Sequence, residues 1–430
     1  RVNVKTFRCS TLLLLSLLSA TLVRCKKKLK IHFPRNIVRG SLRGGRPMRG
    51  GIRPPFKKTF VPRHPFDLTL AEVFFPKVAP AVDDSALTAA LLKRNQDLSP
   101  TASEQTAIGN LVTKVQAVLD NLVVAPGDFN TCQLEEVRQV GSFKKGTILT
   151  GNNVADIVVI LKTLPTKEAV EALSKKVEAD LKTSMKTEVL TKGDQHTIQT
   201  HLRGFDVSNV QAKVRIMIAT LPQNLRKLEA DIHMDHKLMQ NHLAAIRHTR
   251  WFEENAHHSS IKVLIRILKD LTKRFDAFSP LSAWMLDLIA HLAIMNNPSR
   301  QALPINLAFR RVFQLLSAGL FLPGSAGITD PTEPGHIRVH TAMTLEQQDL
   351  CCYTAQTLLR VLTHGGYKHI LGLEGNTSIV REMSVWNGVC VSPHTAVYEK
   401  PTDKKEGDLE EDIEMIENEN EDEGSEDGAE

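Results

Sequence analysis

The chain of 430 residues is poor in cysteine, holds no acidic residue in its first 64 positions, and shows no internal repeat. Its six cysteines (Cys9, Cys25, Cys132, Cys351, Cys352 and Cys390) form no Cys-x-x-Cys pair and are too sparse for a disulfide framework, which fits a reduced, intracellular compartment. The adjacent Cys351 and Cys352 fall in a helical pattern and read as packing residues. The apolar run Thr11–Val23 spans 13 residues, whereas a membrane-crossing helix needs ~20. It imitates the apolar core of a signal peptide. The Lys26–Lys28 cluster behind it and the acidic C-terminus oppose secretion, and residues 1–47 read as sequence upstream of a start at Met48. The histidines His233, His236, His242, His248, His257 and His258 lack a Cys or carboxylate partner at a metal-ligand spacing. They read as surface or core side chains.

What is present is strongly segregated. Residues 1–64 hold 17 Lys+Arg, and residues 401–430 hold 15 Asp+Glu against Lys404 and Lys405. Between them 35 basic residues face 33 acidic ones, so the folded part is close to neutral. Segments of one sign repel themselves and stay solvated, which predicts a disordered basic arm and a disordered acidic tail. The arm carries Arg39-Gly40, Arg43-Gly44-Gly45 and Arg49-Gly50-Gly51, a pattern suited to RNA phosphates and bases without fixed structure.

The remainder divides into two regimes. Apolar positions Ile108, Leu111, Val112, Val115, Val118, Leu119 and Leu122 trace one helical face. Leu134–Val140, Asp156–Leu161 and Val214–Thr220 read as strands, and a helix is expected from Pro165-Thr166 to about Thr183. Beyond Asp235 the pattern is helical, over Asp235–Phe252, Ser259–Arg274, Leu281–Met295, Leu303–Leu316 and Thr344–Thr363. The predicted class is α+β, a mixed α/β half over 65–235 followed by an all-helical half over 236–400. The arm 1–64 and the tail 401–430 flank it, and the cleft between the halves is the default ligand site.

The most informative stretch is Gly141-Ser142-Phe143-Lys144-Lys145-Gly146-Thr147, followed by Gly151 and Ala155-Asp156-Ile157-Val158-Val159-Ile160-Leu161. It has the parts of a nucleotidyl-transfer site, a Gly-Ser turn for a triphosphate and then a buried strand to present carboxylates. Two-metal transfer needs at least two acidic side chains alternating on one strand face. The alternating pair here is Val154 and Asp156. A P-loop is excluded, since Thr147 and not Lys follows the second glycine.

The whole segment Gly141–Leu161 resembles, without a gap, the active-site turn and strand of the oligoadenylate synthetase branch of nucleotidyltransferases. Where that motif has Asp-Ala-Asp, this chain has Val154-Ala155-Asp156. The resemblance implies a third carboxylate on a later strand, for which Val214–Thr220 is the candidate. No Asp or Glu occurs from Gln211 to Asn224. Leu264–Lys269 resembles the helix whose Arg and Lys hold substrate phosphates, which nominates Arg266 and Lys269. Ala283–Leu288 resembles the next helix, whose aromatic residue stacks on the base, which nominates Trp284. The implied site is Gly141, Ser142, Asp156, Arg266, Lys269 and Trp284, with Asp156 as the metal ligand and ATP or another NTP with Mg²⁺ bound but not turned over. An active enzyme recruiting Asp206, Asp231 or Asp235 is the alternative.

The segments Leu91–Leu98, Glu135–Ser142, Ala244–His248, Arg250–Ala256, Gly319–Ser325 and Met343–Asp349 resemble DZF proteins (domain associated with zinc fingers) of the interleukin enhancer-binding factor group. The resemblance runs from about Met48 to the acidic tail. It implies a degenerate nucleotidyltransferase fold and a nuclear heterodimer with interleukin enhancer-binding factor 3 or a related DZF protein bearing double-stranded-RNA-binding domains. Double-stranded RNA and DNA would be met mainly through that partner, in transcription regulation and RNA processing. Residues 1–47, the short Arg-Gly arm, Cys132 and His201 depart from the family. Because Leu303–Leu322 and Leu350–Leu362 are apolar over much of their circumference, they are expected to be buried, and pairing through them is expected on the resemblance.

Overall fold

The computed structural model describes residues 84–185, 196–297 and 301–395, with a two-residue antiparallel pair between Val61–Pro62 and Tyr398–Glu399. The apolar run, the Arg-Gly repeats and the acidic tail lie outside the described residues.

Helices α1 (Ser85–Leu98) and α2 (Ala102–Val124) come first. Helix α2 starts at a capping box in which Thr101 and Glu104 satisfy each other's backbone N–H groups. Its seven apolar positions read from periodicity are the seven that are buried. Strand β1 (Leu134–Val140), the short helix α3 (Gly141–Lys145), strand β2 (Val154–Leu161) and helix α4 (Lys167–Met185) follow. Strands β3 (Thr197–His201), β4 (Gly204–Ser208) and β5 (Lys213–Thr220) complete one sheet of order β1-β2-β5-β4-β3. Only the central β2–β5 pair is parallel among these; the other pairs are antiparallel.

Period two divides β2 and β5 between two cores. Ile157, Val159 and Leu161, with Val214, Ile216 and Ile218, pack against α2 and α4. Val158, Ile160 and Ala219 face Leu243 of helix α5 (His236–Asn255) on the other side. Each such aliphatic side chain contributes ~1.5–3 kcal/mol by leaving water.

The helical half contains α6 (Ser259–Arg274), α7 (Ala283–Met295), α8 (Ile305–Ser317), α9 (Leu345–Thr363) and α10 (Tyr367–Ile370), then a hairpin of β6 (Ser384–Trp386) and β7 (Val389–Val391). The predicted succession of a mixed α/β half and a helical half is met. Two helices cross the expected boundary at residue 235. Leu87, Ala90, Leu91 and Leu98 of α1 lie in the core of the helical half. Two ion pairs fix that helix there, Arg94 to Asp270 at 2.8 Å and Asp84 to Arg310 at 2.8 Å. Helix α5 reaches three of the buried apolar clusters, through Met239, Leu243 and Phe252.

The apolar circumference of α8 and α9 is consumed inside this chain. Phe309, Val312, Phe313 and Leu316 meet Cys351, Ala355, Leu358, Val361 and Leu362 in one core, and the large apolar residues left exposed on these helices are Leu307 and Leu345. Their hydrophobicity is therefore not surplus to the fold. Cys351 and Cys352 are buried free thiols, and burial pushes Cys352 up to about 12. Both serve as packing. Among the described residues no helix is long and apolar enough to cross a membrane.

Candidate functional site

The Gly-Ser turn lies where β1 ends and β2 passes beside it. Gly141 takes a φ of 73°, and a Cβ built on it would run into the Asp156 carboxylate. Only glycine combines that left-handed backbone with so close an approach. Gly146 closes α3 in the same left-handed region and lets the chain turn back toward β2.

Asp156 occupies the second position of the motif on β2, beside Val140 of β1 and Arg215 of β5. Arg215 in turn stands opposite Asp206 of β4, so Asp156, Arg215 and Asp206 form a row across one face of the sheet. Arg215 donates to Asp156 Oδ1 through Nε at 2.7 Å, and its second guanidinium nitrogen lies 2.6 Å from the same oxygen. Burial raises the Asp156 carboxyl above its ordinary range, and Arg215 opposes that shift. The place next to Asp156 where a metal-binding carboxylate is wanted thus holds a cation.

A divalent cation does not fit this arrangement. The residue alternating with Asp156 is the aliphatic Val154, and the one carboxylate is already neutralised within the protein. Among the described residues no group of three or more His, Cys, Asp or Glu side chains could hold a metal ion. Two of the alternative carboxylates, Asp206 and Asp235, are otherwise engaged. Asp206 accepts from His201 at 3.0 Å and Lys213 at 3.1 Å, while Asp235 caps α5 by accepting from the Leu238 N–H. Asp231 is exposed in the loop before that helix.

Helix α6 supplies the predicted cations, three residues apart on one face. Lys269 Nζ donates to Ser142 Oγ at 2.7 Å and to Thr147 O at 3.0 Å. Burial, with Lys145 and Arg266 nearby, lowers its pKa to about 8 against the pull of Asp287. Arg266 points elsewhere along the same loop. It donates to Gly146 O at 2.7 Å, Ile148 O at 3.3 Å and Asn95 Oδ1 at 3.1 Å. Lys269 therefore stands at the Gly-Ser turn, and Arg266 holds the backbone behind it.

Beneath the turn, Lys145 of α3 forms a buried ion pair with Asp287 of α7 at 2.7 Å. Its ammonium also stands 5.3 Å from the Trp284 ring centroid and 5.5 Å from that of Phe252. Trp284 donates its indole N–H to Asp330 at 2.9 Å, which gives Asp330 a structural role beside the site. Gly141, Ser142, Asp156 and Lys269 are thus gathered at one turn, with Trp284 one buried lysine away. With the row's Asp206 and its partner Lys213 included, the cations Lys145, Lys213, Arg215, Arg266 and Lys269 stand with the carboxylates Asp156, Asp206 and Asp287, a balance that favours an anion.

Sequence reasoning gave no site role to Lys145, Asp287, Asp330, Arg215 or His248. Arg215 has the correct strand phase to share a face with Asp156, but nothing local reveals that β2 and β5 run side by side in that register. His248 stacks on Trp284, and only its place three and four residues before Trp251 and Phe252 hints at a common face.

Comparison with known proteins gives two family matches and distant structural likenesses. The family model of the DZF N-terminal domain matches residues 51–257, and that of the DZF C-terminal domain matches residues 260–392. Among solved structures, the chain is similar to the CdnC:HORMA-deltaN complex of E. coli MS115-1, at 17% identity over 68% of this chain and 94% of that one, with a TM-score of 0.45. It is similar to the Cid1 poly(U) polymerase with Mg 3'-dATP bound, at 9% identity over 65% and 95%, with a TM-score of 0.39. A third is the Elizabethkingia meningoseptica CdnE cyclic dinucleotide synthase with GTP and Apcpp, at 16% identity over 61% and 96%, with a TM-score of 0.35.

Proposed function

The chain belongs to the DZF family, and we propose that it is a non-catalytic, nucleotidyltransferase-like subunit that binds a nucleotide triphosphate without transferring it. The observation that carries this reading is the Asp156–Arg215 ion pair beside Val154. Phosphoryl transfer by metal catalysis needs carboxylates to hold the ions that bridge attacking and leaving oxygens. An arginine on the neighbouring strand neutralises the remaining one and brings no carboxylate of its own. Ser142, the Gly141 turn and Lys269 retain the polar groups that receive phosphate. Trp284 is the aromatic platform in this reading, Arg266 holds the loop, and Asp156 is held by Arg215 instead of by Mg²⁺.

Incubation of the purified chain with labelled NTP, an RNA primer and Mg²⁺ or Mn²⁺ tests this directly. The expected result is no primer extension above that of Asp156→Ala. Extension by the wild type that Asp156→Ala abolishes would overturn the reading.

Family membership further supports a role as one half of a heterodimer. Within this proposal the partner is a DZF protein with double-stranded-RNA-binding domains, of the interleukin enhancer-binding factor 3 type. RNA and DNA are met mainly through that partner, in the nucleus, in transcription regulation and RNA processing. Co-expression of the two chains should yield a one-to-one complex on size-exclusion chromatography. Two chains that elute independently at micromolar concentration would refute the pairing.

A further inference from the structure

Helices α5 and α7 bring an aromatic cluster to the same buried lysine that underlies the Gly-Ser turn. His248, Trp251 and Phe252 share a face of α5 by their three- and four-residue spacing, and Trp284, Asp287 and His291 share a face of α7 in the same way. Where these faces meet, the His248 imidazole lies on the Trp284 indole with ring centroids 4.0 Å apart and planes 7° from parallel. Trp251 stands perpendicular to Trp284 with ring centroids 5.3 Å apart and at 73° to His291 with centroids 5.0 Å apart. Asp330 fixes the indole, accepting from Trp284 Nε1 at 2.9 Å, and the same oxygen lies 3.8 Å from His248 Nε2, beyond hydrogen-bond reach. Its other oxygen is fixed by the Thr332 N–H at 2.8 Å and the Thr332 hydroxyl at 2.7 Å.

A face-on heteroaromatic ring at this separation is the arrangement a nucleobase makes on an aromatic side chain. We propose that His248 is an internal occupant of the base place on Trp284, so that a purine or pyrimidine enters only when the imidazole leaves. The inference rests on the nucleotide-binding reading of the Ser142 and Lys269 turn. Lys145 links the two places. It belongs to the same short helix as Ser142, whose Oγ accepts from Lys269, and its ammonium is 5.3 Å from the Trp284 ring centroid. The imidazole has a way out, because the His248 side chain retains 20% of its exposure and its neighbour Arg247 is at the surface, paired with Glu333. His248 would then set affinity by competition from within the chain.

The test is equilibrium binding of ATP, and separately of adenosine, to the full chain and its variants. His248→Ala vacates the indole face and should tighten both ligands about tenfold, the scale of one base-stacking contact. His248→Phe refills the face with a ring that does not leave more readily, and should bind no tighter than wild type. Adding Trp284→Leu to His248→Ala should abolish the gain. Equal ATP affinity in wild type and His248→Ala, with Lys269→Ala still weakening both, would overturn the internal-occupant role while leaving the nucleotide site standing. Absence of ATP binding in every variant, His248→Ala included, would defeat the nucleotide reading and this inference with it. His248→Phe also serves as the folding control, since it keeps the stack that His248→Ala removes.

Discussion

Lys145→Met should destabilise the protein by about 3–5 kcal/mol, as expected when one member of a buried ion pair is removed. The Lys145 and Asp287 side chains retain only 9% and 2% of their exposure, and they meet at 2.7 Å. Removing the ammonium leaves the Asp287 carboxylate in a site where burial already pushes its pKa up. The methyl-terminated side chain still packs over Phe252 and Trp284, so lost volume is a minor term. Lys145→Met/Asp287→Leu, which removes both charges, should recover most of the loss, because the desolvation cost of the pair disappears with its attraction. Urea denaturation of the two variants and the wild type measures both effects. A single variant as stable as the wild type would show that the pair adds nothing. A double variant no better than the single would show that packing, not charge, governs the site.

Acidification should cost the wild type about 3 kcal/mol more than it costs His248→Phe between pH 6.5 and pH 4, at ~1.4 kcal/mol for each pH unit crossed. Burial lowers the pKa of His248 from 6.5 to about 4, against the opposing attraction of Asp330. Lys145 and Arg247 add to the lowering. The sign follows from proton uptake. Above pH 6.5 both folded and unfolded chains hold a neutral imidazole, and stability is unaffected. Below 6.5 the unfolded chain takes up a proton that the folded chain refuses until about 4, so folding is penalised progressively over that window. His248→Phe keeps the stacked ring without the titration, and carboxylates elsewhere cancel in the comparison. Parallel stability curves for the two proteins from pH 7 to pH 4 would refute the assignment.

Helices α2 and α6 are legible because each carries a strong helical period, whereas strand β1 matches its expected bounds although its apolar residues Leu134, Val137 and Val140 do not alternate. The apolar positions of α2 repeat at helical spacing behind the Thr101 and Glu104 capping box. Helix α6 spans Ser259–Arg274 as its pattern predicts. The hairpin of β3 and β4 was not legible, since Thr197–His201 is almost wholly exposed and lacks apolar alternation. Helix α1 lacks a side-chain cap and buries only Leu87, Ala90, Leu91 and Leu98, a weak local signal, although part of it carries the family resemblance. The apolar circumference of α8 and α9 predicts burial, and the structure assigns it to this chain's own core.

The sequence by itself determined that a Gly-Ser turn precedes a buried strand, that Val154 stands where a carboxylate is required, and that Arg266 and Lys269 share a helical face. Those are properties of spacing along one element, where three or four residues in a helix and two in a strand decide which side chains are neighbours. Tertiary structure alone decided that Arg215 stands against Asp156, because the register of two parallel strands is set by everything between them. It also decided that Lys269 reaches Ser142 while Arg266 turns to backbone carbonyls, and that His248 covers Trp284. Each of these pairs joins elements whose relative placement is fixed by shared cores, and no local period encodes such a distance.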